Sequence, residues 1–331
     1  MNVPFWYPKR EYQALKPEID AAVQKVQSES DLIRGPDLDR FELRMAHLLG
    51  TQAFVGVGSG TDALILSLRA LGIKQGHEVI TTSYTFRATV DAILHVGATP
   101  ILTDIDEDWK PYKTPNTKAI IPVHIAGEAT PWTPTPDIVM IEDACQAVTA
   151  SSVRGTTACY SFYPAKILGC HGQAGGIATN DTLLAENLRA MSNLYKDSGE
   201  TLGYNSRLDN LQAAILNVKL DHFDQSIRIR KEVAELYDSN LPLHVTTPTP
   251  RKVYQDYIIY TTYARELKDY LSSRGVETLL NIYRFPDAYP KRPQSILYEQ
   301  NTLRLPCHPY LTEDEVYYVI DSIRDFFSQH D

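Results

Sequence analysis

The 331-residue chain is poor in features that mark several common functions. Its four cysteines are Cys145, Cys159, Cys170 and Cys307, and no two form a C-x-x-C pair. With no H-E-x-x-H run either, the spacing argues against a structural zinc site, and four cysteines over this length make no disulfide framework. Apolar runs never approach the ~18 residues that a membrane span needs. The opening residues, MNVPFWYPKREYQ, hold no apolar core of signal-peptide length, so a cytoplasmic protein is expected. Positive charge is scarce as well: 32 lysines and arginines face 41 carboxylates, a formal balance of −9. That disfavours nucleic-acid polymers and anionic membranes, which are bound through clustered cations. One anionic small molecule held by local donors stays open. No G-K-[ST] is present, which excludes a P-loop.

What is present reads as an alternating α/β protein. Apolar residues make up 43% of the chain, enough for a sizeable core, and the length suggests about two domains. Residues 12–50 read as helical. Strand-like runs follow at 53–57, 78–83, 99–105, 119–125, 137–144, 157–163 and 175–180, with helical spacing at 61–71 and 86–96 between the first of them. Interleaved strands and helices argue for a mostly parallel sheet with helices on both faces. Two connections, 106–118 and 127–137, are rich in proline and threonine and have no room for a crossover helix, so part of the sheet should be poorly covered. A helical stretch over 208–241 precedes TTPTP (246–250), which marks a hinge before a smaller α+β unit containing VYQDYIIYTTY and helices at 266–274 and 312–327.

Three places carry candidate chemistry. GVGSGT (56–61) joins a strand to a helix, where glycines admit a ligand close to the backbone and free helix-terminal amides suit a phosphate. A tight structural turn explains it equally well. As a dinucleotide fingerprint it fits badly, because Thr61 stands where the third glycine belongs and Glu78 begins the second strand rather than ending it. IEDACQ (141–146) ends a strand with Glu142 and Asp143, which alternation sends to opposite faces; such aspartates are often only turn or cap residues. In SFYPAKILGCHGQAGG (161–176), Lys166 lies just past a strand among Tyr163, Ile167 and Leu168. Most lysines are solvated surface charges, but an apolar setting lowers the amine's pKa and makes it a usable nucleophile. Together, a phosphate turn, a strand-end aspartate and a desolvated lysine at one sheet edge are the parts that a pyridoxal phosphate enzyme requires.

At these residues the sequence resembles the DegT/StrS-type sugar aminotransferases, which are fold type I pyridoxal phosphate enzymes. The runs that carry the resemblance are RGPDLDRFE, GSGTDALILSLRALGIKQGHEVITTSYTF, TKAIIPVHIAGE, IEDACQA, YSFYPAKILGCHGQAGGIATND, GYNSRLDNLQAAIL and LRLPCHPYLTEDEV, nearly the whole chain in one order. The resemblance implies a large cofactor domain over 1–241, including the N-terminal helical segment, and a small α+β domain over 242–331. It also implies roles. Lys166 would form the Schiff base and, once freed, carry the proton between the substrate carbon and the cofactor's C4′. Asp143 would pair with the pyridinium nitrogen, Gln146 would approach the phenolic oxygen and Phe86 would stack on the ring. Gly60, Thr61 and Asp62, the last two through their backbone, and Ser161 would hold the phosphate. Asn205 would reach the phosphate of a neighbouring subunit, implying a homodimer with shared sites.

The activity so implied is transamination from an amino acid, with glutamate the expected donor, to a nucleotide-linked keto-sugar, with pyridoxamine phosphate formed between the half-reactions. A keto-cyclitol is an alternative acceptor. Departures from the family pattern lie on the substrate side: Ala126 replaces an aromatic, and Asn281-Ile282-Tyr283 corresponds only loosely to the usual His-Tyr-Pro. Arg284, Lys291 and Arg292 are candidate cations for a sugar diphosphate, although solvated loop positions would account for them. Two other readings remain: a nicotinamide-dependent oxidoreductase using GVGSGT, and a non-catalytic sensor that keeps the fold. The related dehydratases carry histidine where Lys166 stands, which argues against dehydration.

Overall fold

Short runs with β-branched residues and glycine-marked ends favour strands. In this computed structural model, which describes residues 1–105, 107–150, 152–196, 202–248, 251–280 and 283–329, seven such runs form one sheet. They are β1 (Ala53–Val57), β2 (Glu78–Thr82), β3 (Thr99–Thr103), β4 (Thr117–Ile121), β5 (Val139–Asp143), β6 (Thr157–Ser161) and β7 (Gly175–Thr179). Their order is β1-β7-β6-β5-β4-β2-β3. Neighbours from β6 to β3 are parallel, while β7 runs antiparallel to both β6 and β1. The carboxyl ends of β1, β2, β4, β5 and β6 therefore share one edge, where open α/β sheets bind their ligands.

Alternation along each strand sends neighbouring side chains to opposite faces. On one face Val55, Val79, Ile121, Ile141 and Ile177 pack under α3 (Gly60–Ala70), α4 (Arg87–His95) and α5 (Thr182–Ser192). On the other, Phe54, Tyr160 and Ala178 meet Phe41 and Met45 of α2 (Pro36–Leu49) and Leu216 of α6 (Asn210–Asp221). The patch expected to be poorly covered is closed without a helix. Trp109 and Trp132, from the two proline-rich connections, cover Ile80, Ile120 and Met140. At roughly 150–250 Å² of buried surface each, two indoles do the work of the missing crossovers.

The helical stretch 12–50 is two helices, α1 (Pro8–Glu29) and α2. Ser30 turns left-handed at φ 62°, and Pro36, which has no N–H to bond backwards, can only begin a new helix. Likewise 208–241 divides at His222 into α6 and α7 (Phe223–Asn240). A second sheet, ordered β8-β10-β9, contains β8 (Tyr257–Tyr260), β9 (Leu279–Leu280) and β10 (Thr302–Leu305). Its buried face packs under α7, α8 (Ala264–Ser273) and α10 (Glu313–Phe327). Val3, Val233 and Tyr237, all preceding residue 242, belong to this core. Between β9 and β10, α9 (Pro293–Gln300) docks on the larger sheet: Asp104 at the end of β3 accepts from the Gln294 and Ser295 amides at 2.9 and 2.6 Å. Burial alone would raise the Asp104 pKa, but these bonds and the Ser295 hydroxyl hold it below the usual carboxylate range.

Candidate active site

Three chain turns meet at the shared carboxyl edge. After β1, Ser59 caps α3 by accepting the Asp62 amide at 3.0 Å. The Gly60 and Thr61 amides have no acceptor among the described residues, and they stand at the positive end of the helix. The Asp62 amide, expected to serve a phosphate, is instead committed to Ser59. Its carboxylate accepts from the Ser206 hydroxyl at 2.7 Å, and the same hydroxyl accepts the Gly58 amide at 3.0 Å. Gly175 lets β7 approach this turn, since a Cβ there would lie 2.3 Å from the Ser59 carbonyl.

At the end of β5, Asp143 is 6% exposed. Its carboxylate accepts from the Thr89 hydroxyl at 2.8 Å and the Cys145 amide at 3.2 Å. Glu142 points to the opposite face, as alternation requires, and bonds His124 at 2.9 Å. Phe86, the N-cap of α4, is 57% exposed and edge-on to Tyr283. The first turn of α4 thus supplies an uncovered aromatic ring and, through Thr89, a donor to Asp143. Thr89 was missed from sequence, although its i+3 spacing from Phe86 was visible. Gln146 is held through Oε1 by the Ala126 amide at 2.9 Å, and its side chain also bonds the Tyr283 hydroxyl.

Beyond β6, Ser161 is buried and the chain turns tightly to present Lys166. The Lys166 amine has no hydrogen-bond or ion-pair partner among the described residues. Burial pushes it below the usual lysine range; Arg304 acts in the same direction, while Cys145 and Asp143 oppose. A lowered pKa makes the amine a readier nucleophile than a solvated lysine. Asn205 lies beside Ser206 yet is exposed, and its side chain accepts from Arg207. The structure thus brings Gly60, Thr61, Asp143, Ser161 and Lys166 to one edge, with Phe86 and Gln146 bordering it. Asn205 faces outward.

This donor set fits pyridoxal phosphate: free helix-terminal amides for a phosphate, a fixed buried carboxylate for a ring nitrogen, and an unpaired, half-buried amine for an aldehyde. A dinucleotide reading fails on topology, because β1 is an edge strand paired only with antiparallel β7 and lies far from β2 in the sheet.

The sequence pattern of the DegT/DnrJ/EryC1/StrS aminotransferase family matches residues 13–324. The chain belongs to this family. It is 35% identical to dTDP-3-amino-3,4,6-trideoxy-alpha-D-glucose transaminase of Streptomyces venezuelae, over 100% of this chain and 97% of that protein. That alignment runs over 370 positions against 331 residues here, so the relative carries segments this chain lacks. Among solved structures, S. venezuelae DesV in complex with a ketimine intermediate superposes with a TM-score of 0.91 at 33% identity, covering 98% of each chain. NtdA from Bacillus subtilis with bound cofactor PMP gives 0.88 at 26% identity, covering 99% of this chain and 85% of that one. The fold is thus fold type I, and the enzyme is an aminotransferase.

Within this family fold, the departures acquire structural reasons. Ala126 is fully buried with a left-handed backbone, φ 52°, its amide bonded to Gln146. Of the Asn281-Ile282-Tyr283 run, only Tyr283 is among the described residues. Two of the three candidate cations are already engaged: Lys291 pairs with buried Glu299, and Arg292 donates to the Leu102 carbonyl at 2.8 Å. Arg284 is exposed. No group of three or more potential metal ligands occurs among the described residues, and no helix there is long and apolar enough to cross a membrane.

Proposed function

We propose that this enzyme uses pyridoxal 5′-phosphate to move an amino group from an amino acid, glutamate first among candidates, to a nucleotide-linked keto-sugar. The observation that carries the reading is the partnerless, half-buried Lys166 amine at the same sheet edge as Asp143 and the free amides of α3. When bound, pyridoxal phosphate supplies an aldehyde that takes up an amine and a ring that accepts electrons. Lys166 holds the cofactor and, when released, moves a proton as the neutral amine that burial favours. Asp143, oriented by Thr89, would keep a proton on the ring nitrogen. Gly60, Thr61 and Ser161 would take the phosphate, Phe86 would cover the ring and Gln146 would approach the phenolic oxygen.

The nucleotide-linked acceptor is supported by the relative that acts on a dTDP-sugar. We assign the working form as a cytoplasmic homodimer, in which outward-facing Asn205 serves the neighbouring subunit's phosphate. Each subunit divides into a large cofactor domain and a small domain, and because Val3 and the α7 residues Val233 and Tyr237 sit in the small domain's core, a boundary at 241/242 lies too late in the chain. The test is spectroscopic: purified protein should show a visible absorption band that borohydride removes, and keto-sugar nucleotides should shift that band after glutamate has converted it. Lys166→Ala should abolish transamination. Full activity in that variant would sink the mechanism.

A further inference from the structure

Gln255, two residues before β8 of the smaller sheet, reaches the catalytic loop of the larger one. Its Nε2 donates to the Ala165 carbonyl at 2.8 Å, and its Oε1 accepts the Ile167 amide at 3.1 Å. The two bonds bracket Lys166, one residue on either side. Reversing the amide would set donor against donor and acceptor against acceptor, so the network fixes its orientation. Gln255 is itself held. Its backbone amide donates to the Ala126 carbonyl at 3.3 Å, while buried Arg230 of α7 donates to the Tyr254 and Gln255 carbonyls at 3.2 and 3.3 Å. Gly127 permits the contact: its φ is 93°, and a Cβ would lie 2.2 Å from the Val253 carbonyl oxygen. Since Gln146 accepts the Ala126 amide, one hydrogen-bonded path runs from Gln146 through Ala126 and Gln255 to both flanks of Lys166.

We propose that Gln255 is a positioning residue for Lys166, so that the seating of the smaller sheet on the larger sets where the reactive amine points and how deeply it is buried. The proposal rests on Lys166 being the reacting amine. A loop held only by its own turn would need no such clamp. Here the side chain spans the two peptide groups whose rotation would swing the lysine, and Arg230 braces it from behind. The groups that act on the amine are Arg304 from β10 and Asp143 and Cys145 from the large sheet, so a shifted loop changes its distance to all three.

The test uses cofactor-free protein, so that it stands apart from transamination. Gln255→Leu keeps the bulk and removes both bonds; Gln255→Glu keeps the acceptor for Ile167 and removes the donor to Ala165. Amide hydrogen exchange at Ile167 should quicken about tenfold in Gln255→Leu, the equivalent of one lost hydrogen bond, and less in Gln255→Glu. The pH profile for acylation of Lys166 by a small amine reagent, read by mass spectrometry, should move to higher pH in both variants as the amine gains water. A role confined to holding the loop would leave that profile in place, and an unchanged profile overturns the proposal. Fast exchange at Ile167 in the unaltered protein would overturn it without any variant. If Lys166→Ala keeps its activity while the Gln255 profiles shift, the functional assignment has failed and the clamp has not.

Discussion

Glu142 offers the sharpest quantitative test of how the active-site edge is held. It is 1% exposed, and its Oε1 accepts the Arg154 and Gly155 amides at 2.6 and 2.7 Å. Its Oε2 lies 2.9 Å from His124 Nε2. The Thr130 amide donates to His124 Nδ1 at 3.1 Å, so the imidazole proton sits on Nε2 and points at Glu142. Glu142→Ala would leave two partly buried amides and a buried imidazole N–H without an acceptor. At ~1–3 kcal/mol for each stranded donor, tempered by the 3–5 kcal/mol typical of breaking a buried pair, the loss should be about 4 kcal/mol. Glu142→Gln retains one acceptor oxygen for the amides but turns an N–H toward His124, which should cost about 2 kcal/mol.

Urea unfolding of the cofactor-free protein measures both, and acid supplies a second check. Burial would raise the Glu142 pKa, yet the His124 bond and the two amides outweigh it and hold the carboxyl below the usual glutamate range. A depressed pKa contributes stability above the unfolded value, and that contribution is lost as pH falls through the folded one. The gap between parent and Glu142→Gln should therefore be widest near neutrality and shrink on acidification. A Glu142→Ala protein within about 1 kcal/mol of the parent, or a gap that widens in acid, would refute the reasoning.

Two further outcomes follow from the geometry. Thr89→Val removes the hydroxyl that donates to Asp143 and should weaken pyridoxal phosphate binding about tenfold, the worth of one hydrogen bond to a charged group, as read by cofactor titration; unchanged affinity would refute it. Arg304→Met removes a cation that disfavours the Lys166 ammonium, so the amine should keep its proton to higher pH in cofactor-free labelling. A shift to lower pH would show that Arg304 acts otherwise.

The main path of the chain was legible because its signals are local. All seven strands of the large sheet, and the turn positions of Gly60, Asp143 and Lys166, follow from apolar runs, glycine punctuation and the period of two. The helix break at Ser30 had a signal in Gly35-Pro36, but the break at His222 had none: apolar spacing continues past it, and only backbone conformation shows where bonding stops. Helix α9 escaped notice because its docking depends on Asp104, which lies 190 residues away.

The motif order, read together with the alternating apolar runs, was enough by itself to point to an α/β aminotransferase of this family. Tertiary structure alone decided that β7 reverses direction and leaves β1 at an edge, that tryptophans replace two crossover helices, and that Lys291 and Arg292 are already engaged. It alone placed Gln255 across the flanks of Lys166. The physical reason is the same in each case: periodicity and propensity act over a few residues, whereas strand direction, burial of charge and side-chain pairing are set by partners that the fold brings together from far along the chain.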